Sequence, residues 1–149
     1  CDFLVSDQSQ LYALRIGLQK PENSIVLPEV ISKEPLGPVV RQNDDEWFNI
    51  VKWSLNASIE GEYQGVTSKN VDQLKAKGNP GQKRLLGSEG DLGQKLGLSD
   101  DWAYQIINQA GNYAESFERN VGQESPLKIK RGLNAQWNKG GILYSPAMR

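Results

Sequence analysis

The chain has 149 residues, 38% hydrophobic and 23% charged, which fits one globular domain long enough to bury a core and excludes a fibrous or disordered polymer. Its 17 basic and 18 acidic residues leave a formal charge of −1, so no global field draws it to nucleic acid or to an anionic membrane surface. Histidine is absent and cysteine occurs once, which removes the commonest general base, the usual zinc ligand, internal disulfides and thiolate metal clusters, and with them most hydrolase and metalloenzyme chemistry.

No apolar run approaches the ~18 residues needed to span a bilayer, and no charged n-region with an apolar h-region marks a secretory signal. The chain begins at Cys1 rather than at Met, so a processed or truncated polypeptide is expected. The longest basic cluster is Lys128 to Arg131, which reads as a solvated face.

In chain order, Asp2 to Ser6 (DFLVS) is a short apolar run with strand character. Asp7 follows in the N-cap position, and Leu11, Leu14, Ile16 and Leu18 recur at mostly helical spacing, which predicts a helix over 8–19 ended by Pro21. Ser24 to Ile31 (SIVLPEVI) is β-branched, and Pro28 within it implies an edge or a bend in a strand. Residues 32–38 (SKEPLGP) are a stiff connector, after which Val39 to Gln42 resumes strand character. Such a connector between two strands suits either a crossing between lobes or a simple loop.

Asn43 or Asp44 is the expected cap of the next helix, whose first-turn carboxylates complement the helix dipole. Trp47, Ile50, Val51, Leu55 and Ile59 follow at helical spacing, and they and their aromatic neighbours Phe48 and Trp53 are expected in the core. Residues 61–98 read as short helical pieces divided by Gly and Pro. Gly87, Gly90 and Gly93 match no nucleotide-binding fingerprint and are taken as caps and turns. Ser99 is the expected cap of the longest helix, with a wide apolar stripe from Trp102 to Val121. The order of elements predicts an α/β fold with a helix-rich C-terminal part.

Two acidic constellations and one further aspartate could carry chemistry. Asp44, Asp45 and Glu46, like Asp100 and Asp101, stand at helix starts where capping explains them. Asp7 differs because it closes a strand, at the point where an α/β sheet presents its loops to a crevice. A carboxylate there can serve as the counterion of a ligand ammonium, or it can be an ordinary helix cap.

The segments CDFLVSDQSQLYALR, SKEPLGPVVRQNDDEWF, NYAESFERN and GLNAQWNKGG make the chain resemble the C-terminal half of periplasmic amino-acid-binding proteins of ABC transporters, in the general L-amino-acid subgroup. The resemblance covers essentially the whole chain. It implies a partial type II periplasmic-binding-protein fold, with residues 1–34 as the remainder of lobe two, 35–42 as the hinge crossing and returning strand, and 43–149 as the lobe-one return helix and a helical C-terminal extension. It implies a C-terminal fragment in which Cys1 is interior. Carried over by position, Asp7 grips the ligand's α-ammonium, and Ser6 and Gln8 flank the pocket, with Ser6 standing where relatives often have Thr.

The function so implied is capture, not catalysis: an L-amino acid is bound in the periplasm by lobe closure and delivered to the membrane permease of the transporter, with no cofactor, metal or nucleic acid, by a protein that is monomeric when complete. The rival readings are a lipoprotein acylated at Cys1, a sensory ligand-binding domain, and a carboxylate-dependent enzyme on the same fold. A lipidated Cys1 leads normally into a polar tether, whereas strand-like residues follow it here.

Overall fold

The computed structural model describes residues 2–32 and 35–148. Cys1 and part of the expected connector, residues 33 and 34, lie outside them. The chain divides into two compact units: Cys1–Pro38 with Glu118–Lys130, and Val39–Phe117 with Arg131–Arg149.

In the first unit the regular elements before Pro38 are α1 (Gln8–Ile16) and a 3-10 turn at Pro21–Asn23. The predicted helix ends early. Gly17 closes it, donating from its backbone N–H to the carbonyls of Arg15 and Leu14, four residues before Pro21. Among the described residues, the strands expected at 2–6 and 24–31 form no ladder. Their side chains are exposed instead: Phe3 is 87% accessible, Ile25 80% and Ile31 77%. A helix satisfies its backbone within itself, whereas a strand needs a neighbour, and among the described residues no partner strand supplies one. In the part after Phe117, the Ser125 hydroxyl donates to the Gly122 carbonyl at 2.8 Å and the Ile129 N–H to the Val121 carbonyl at 3.0 Å, and Ser125 and Ile129 are buried.

The second unit is helical. It contains α2 (Asp45–Tyr63), α3 (Val71–Lys77), α4 (Pro80–Leu85), α5 (Trp102–Ala110) and the start of α6 (Tyr113–Asn120). The strand expected at 39–42 is again absent from the described residues, and one isolated bridge joins Gln136 to Leu143. Asp44 caps α2 by accepting from the Trp47 N–H at 3.2 Å. At α4, Asn79 and Gln82 form a reciprocal capping box around Pro80, which suits the first helical position.

The core gathers Ala57 of α2, Val66, Val71 of α3, Leu85 of α4 with Leu86 at its C-cap, and Trp102, Ala103 and Ile107 of α5. Helices α2 and α5 approach closely at Gly61, where a Cβ would stand 2.8 Å from the Ile107 Cδ1. This close approach accounts for a glycine inside a helix, at a propensity cost of about 1 kcal/mol.

Two expectations change here. The longest helix is α2, and the stripe from 102 to 121 is two helices, because Gly111 (φ 83) ends α5 and Asn112 starts α6. The Asn112 Oδ1 accepts from the Glu115 N–H at 3.0 Å while the Glu115 Oε2 accepts from the Asn112 N–H at 2.9 Å. Trp47 and Phe48 are not core: they are 52% and 48% exposed, on the half of α2 that precedes the packed segment around Ala57 and Ile59. Of the glycines at 87, 90 and 93, the first two have φ of 74° and 88° and make turns. Gly93 instead admits the Ser99 carbonyl, which would lie 2.1 Å from a Cβ.

Candidate functional site

Asp7 ends the extended run and starts α1. Its backbone is extended (φ −55, ψ 142), and its carbonyl accepts the first helical bond from the Leu11 N–H at 2.9 Å. Its carboxylate makes no capping bond to the first turn, so the ordinary structural use of an aspartate at this position is not exercised. Asp7 is half-buried while Ser6 and Gln8 are exposed. The Ser6 hydroxyl donates to the Gln10 Oε1 across one helical turn. Ser6, Asp7 and Gln8 are therefore brought together at one helix start, with the carboxylate's acceptor capacity unspent among the described residues.

Sequence reasoning missed Arg15. It lies in the last turn of α1, half-buried, and its Nε donates to the Pro21 carbonyl at 3.1 Å and to the Ser24 carbonyl at 2.8 Å. A cation there also complements the helix dipole. No local spacing announces this bond, because its acceptors are backbone atoms six and nine residues ahead.

The other acidic constellations are structural. Asp44 caps α2 and pairs with the Arg41 guanidinium at 3.3 Å. Asp100 Oδ1 accepts from the N–H groups of Gly93 and Gln94 at 3.1 and 3.2 Å, folding the preceding loop. Asp101 accepts from the Ser99 hydroxyl at 2.7 Å and from the Gln105 amide at 2.8 Å, and these bonds hold its carboxyl below the usual range. Ser99 therefore serves Asp101 rather than capping a helix directly.

Within the second unit two polar clusters are tied to the core. Glu115 accepts from the Ser68 hydroxyl at 2.6 Å and from the Ser68 N–H at 3.0 Å, and Asn112, 4% exposed, donates to the Val66 carbonyl at 2.7 Å. Burial works to raise the Glu115 carboxyl, but the bonds from Ser68 and Asn112 outweigh it and leave the group below its ordinary value. Arg131 pairs with Glu62 at 2.9 Å and lies over the rings of Tyr113 and Phe117 at 5.5 and 5.1 Å. Burial raises the Tyr113 hydroxyl against the opposing effect of Arg131. A cavity of about 320 Å³ lies between Trp53, Trp102, Leu92, Leu96 and Met148 in the same unit. It holds no cluster of acid, base and nucleophile. Among the described residues no helix is long and apolar enough to cross a membrane.

No family model matches the chain. Relatives that match over the whole of this chain are named as amino-acid-binding proteins, one of an ABC transporter and one periplasmic, in line with the resemblance. The chain is 63% identical over 150 residues to YhdW of Escherichia coli K12, a protein with a provisional name as an amino-acid ABC transporter-binding protein. It is 58% identical over 151 residues to the general L-amino acid-binding periplasmic protein AapJ of Rhizobium johnstonii. In both cases the match takes 100% of this chain and 44% of the relative, so the chain spans less than half the length of the curated proteins it matches. A solved structure from Brucella ovis, an ABC transporter periplasmic binding protein with glutathione bound, superposes with a TM-score of 0.91 at 52% identity, covering 97% of this chain and 46% of that one. The fold is thus similar to that of part of this periplasmic binding protein, and the described residues of the chain are rich in helix. The relatives are binding proteins of transporters rather than enzymes, and AapJ is periplasmic by name.

Proposed function

We propose that this sequence is part of a two-lobed type II binding protein that captures L-amino acids in the periplasm and passes them to the membrane permease of an ABC transporter. The observation that carries the reading is the match over the whole chain, at 63% and 58% identity, to amino-acid-binding components of such transporters. In this reading residues 1–34 belong to lobe two, 35–42 to the hinge crossing and 43–149 to lobe one with its extension. The extended, unpaired runs at 2–6 and 24–31 are strands of an α/β lobe whose sheet is completed by other strands. Their exposed apolar side chains support this, because such residues favour burial on a pleated surface.

Asp7 is the group assigned to the ligand's ammonium, with Ser6 and Gln8 beside it. The uncapped, half-buried carboxylate supports the assignment. Calorimetric titration of the intact protein that carries this sequence, with L-glutamate and L-glutamine, tests it. Asp7→Ala is expected to weaken binding by about a hundredfold or more, since a desolvated ammonium loses its counterion. Unchanged affinity in the variant overturns the role of Asp7, and no binding of any amino acid by the parent overturns the function.

A second reading is favoured by one observation. The Brucella ovis protein holds glutathione, a peptide carrying an α-ammonium and two carboxylates, so a small γ-linked peptide is a ligand class consistent with the same carboxylate at Asp7. Glutathione in the same titration separates the two, by binding more or less tightly than the free amino acids.

A further inference from the structure

Helix α1 has no buried residue, so packing within the described residues does little to fix its direction. Among the described residues, Arg15 makes a side-chain tie between the helix and the chain that follows. Its Nε is shared between the carbonyls of Pro21 and Ser24, bridging the reversal from Gly17 to Asn23 and fastening the C-terminal end of α1 to the start of the extended run at 24–31. Asp7 stands at the other end of the same nine-residue helix. A helix is stiff over two turns, so an anchor at one end sets the direction in which the other end points.

We propose that Arg15 is a positioning residue for the Asp7 carboxylate: by fastening α1 to residues 21–24 it holds the ammonium-binding group in its productive orientation. The inference rests on the reading of Asp7 as the ligand's counterion. Arg15 acts through a side chain with a planar, permanently charged donor group, partly desolvated and bonded to carbonyl oxygens, which is the kind of second support that fixes a binding group to within a few tenths of an ångström. In this reading it acts through Asp7, its Nε being bonded to the Pro21 and Ser24 carbonyls.

The test is a double-mutant cycle on the intact protein, read by calorimetry with L-glutamate and with melting temperature recorded for each variant. Arg15→Gln is expected to weaken binding about tenfold, and Arg15→Lys, which keeps a charged donor for the two carbonyls, to recover most of that loss. The double variant Asp7→Asn/Arg15→Gln is expected to bind no more weakly than Asp7→Asn alone, because Arg15 then has no carboxylate left to position. Full affinity in Arg15→Gln, or losses that multiply in the double variant, overturns the inference while leaving the role of Asp7 intact. Full affinity in Asp7→Asn overturns both. Should Arg15→Gln fail to fold, Arg15→Met, which keeps the length of the side chain but donates no hydrogen bond, takes its place in the same cycle: a loss that disappears in the Asp7→Asn background supports positioning, and a loss that persists there, or no loss at all, opposes it.

Discussion

Residues 2–38 and residues 39–117 draw on a similar supply of apolar side chains and use them in opposite ways. In the second region Ala57, Val66, Val71, Leu86, Ala103 and Ile107 are fully buried among four helices. In the first, Phe3, Leu4, Val5, Ile25, Leu27, Val30 and Ile31 are each more than 60% exposed. The difference lies in where backbone hydrogen bonds are found. Helices satisfy theirs locally and need only a face to pack, so α2 to α5 can assemble from one stretch of chain. Extended runs find theirs in neighbouring strands, and among the described residues 2–6 and 24–31 have no such neighbour. The region with the more finished structure therefore carries the core, and the less finished one carries the candidate binding group.

The largest effects should separate the two regions sharply. Ile107→Ala empties a fully buried site between α2 and α5 and is expected to cost roughly 2–5 kcal/mol, measured by chemical denaturation of the 149-residue chain followed through tryptophan fluorescence. Ile25→Ala removes an equally large side chain that is 80% exposed, and is expected to change stability by less than about 0.5 kcal/mol. Comparable losses at both sites would mean that residues 24–31 are packed in solution, and the contrast between the regions would be gone.

A smaller effect sharpens the same contrast through pH. The Glu115 carboxyl lies below its ordinary value of 4.5 when folded, so its stabilisation is complete above that value and is lost as pH falls through the folded one. Glu115→Gln should cost about 2 kcal/mol near neutrality, the usual worth of hydrogen bonds to a charged group, and the gap to the parent should close in acid. Denaturation curves at pH 7 and pH 3 measure this. A gap that stays constant with pH would show that the bonds from Ser68 and Asn112 do not depend on the charge of Glu115.

Much of the helical region was legible. The cap at Asn43 or Asp44, of which the structure uses Asp44, the Gly and Pro breaks through 61–98 and the apolar spacing of α2 and α5 follow from local rules. The division at Gly111 was also written in the chain, in the Asn112 and Glu115 spacing of a capping box, but the apolar stripe running through it masked the signal. The exposure of Trp47 and Phe48 was not legible, since periodicity marks a face without saying what covers it. Pairings across long separations were beyond reach for the same reason: Arg131 meets Glu62 from 69 positions away, and Gln136 reaches the Ile59 carbonyl from 77. Asp7 was legible as the residue where an extended run meets a helix, whereas its lack of a capping bond and the anchoring of its helix by Arg15 needed coordinates.

The most direct test of the account is amide hydrogen exchange across residues 2–31 in the intact protein that carries this sequence, with and without L-glutamate. Slow exchange at 2–6 and 24–31 with no ligand, and added protection at 7–10 once the amino acid is bound, is the result that paired strands and an Asp7-centred site require. Rapid exchange through 2–6 and 24–31, with residues 7–10 unaffected by ligand, would contradict both.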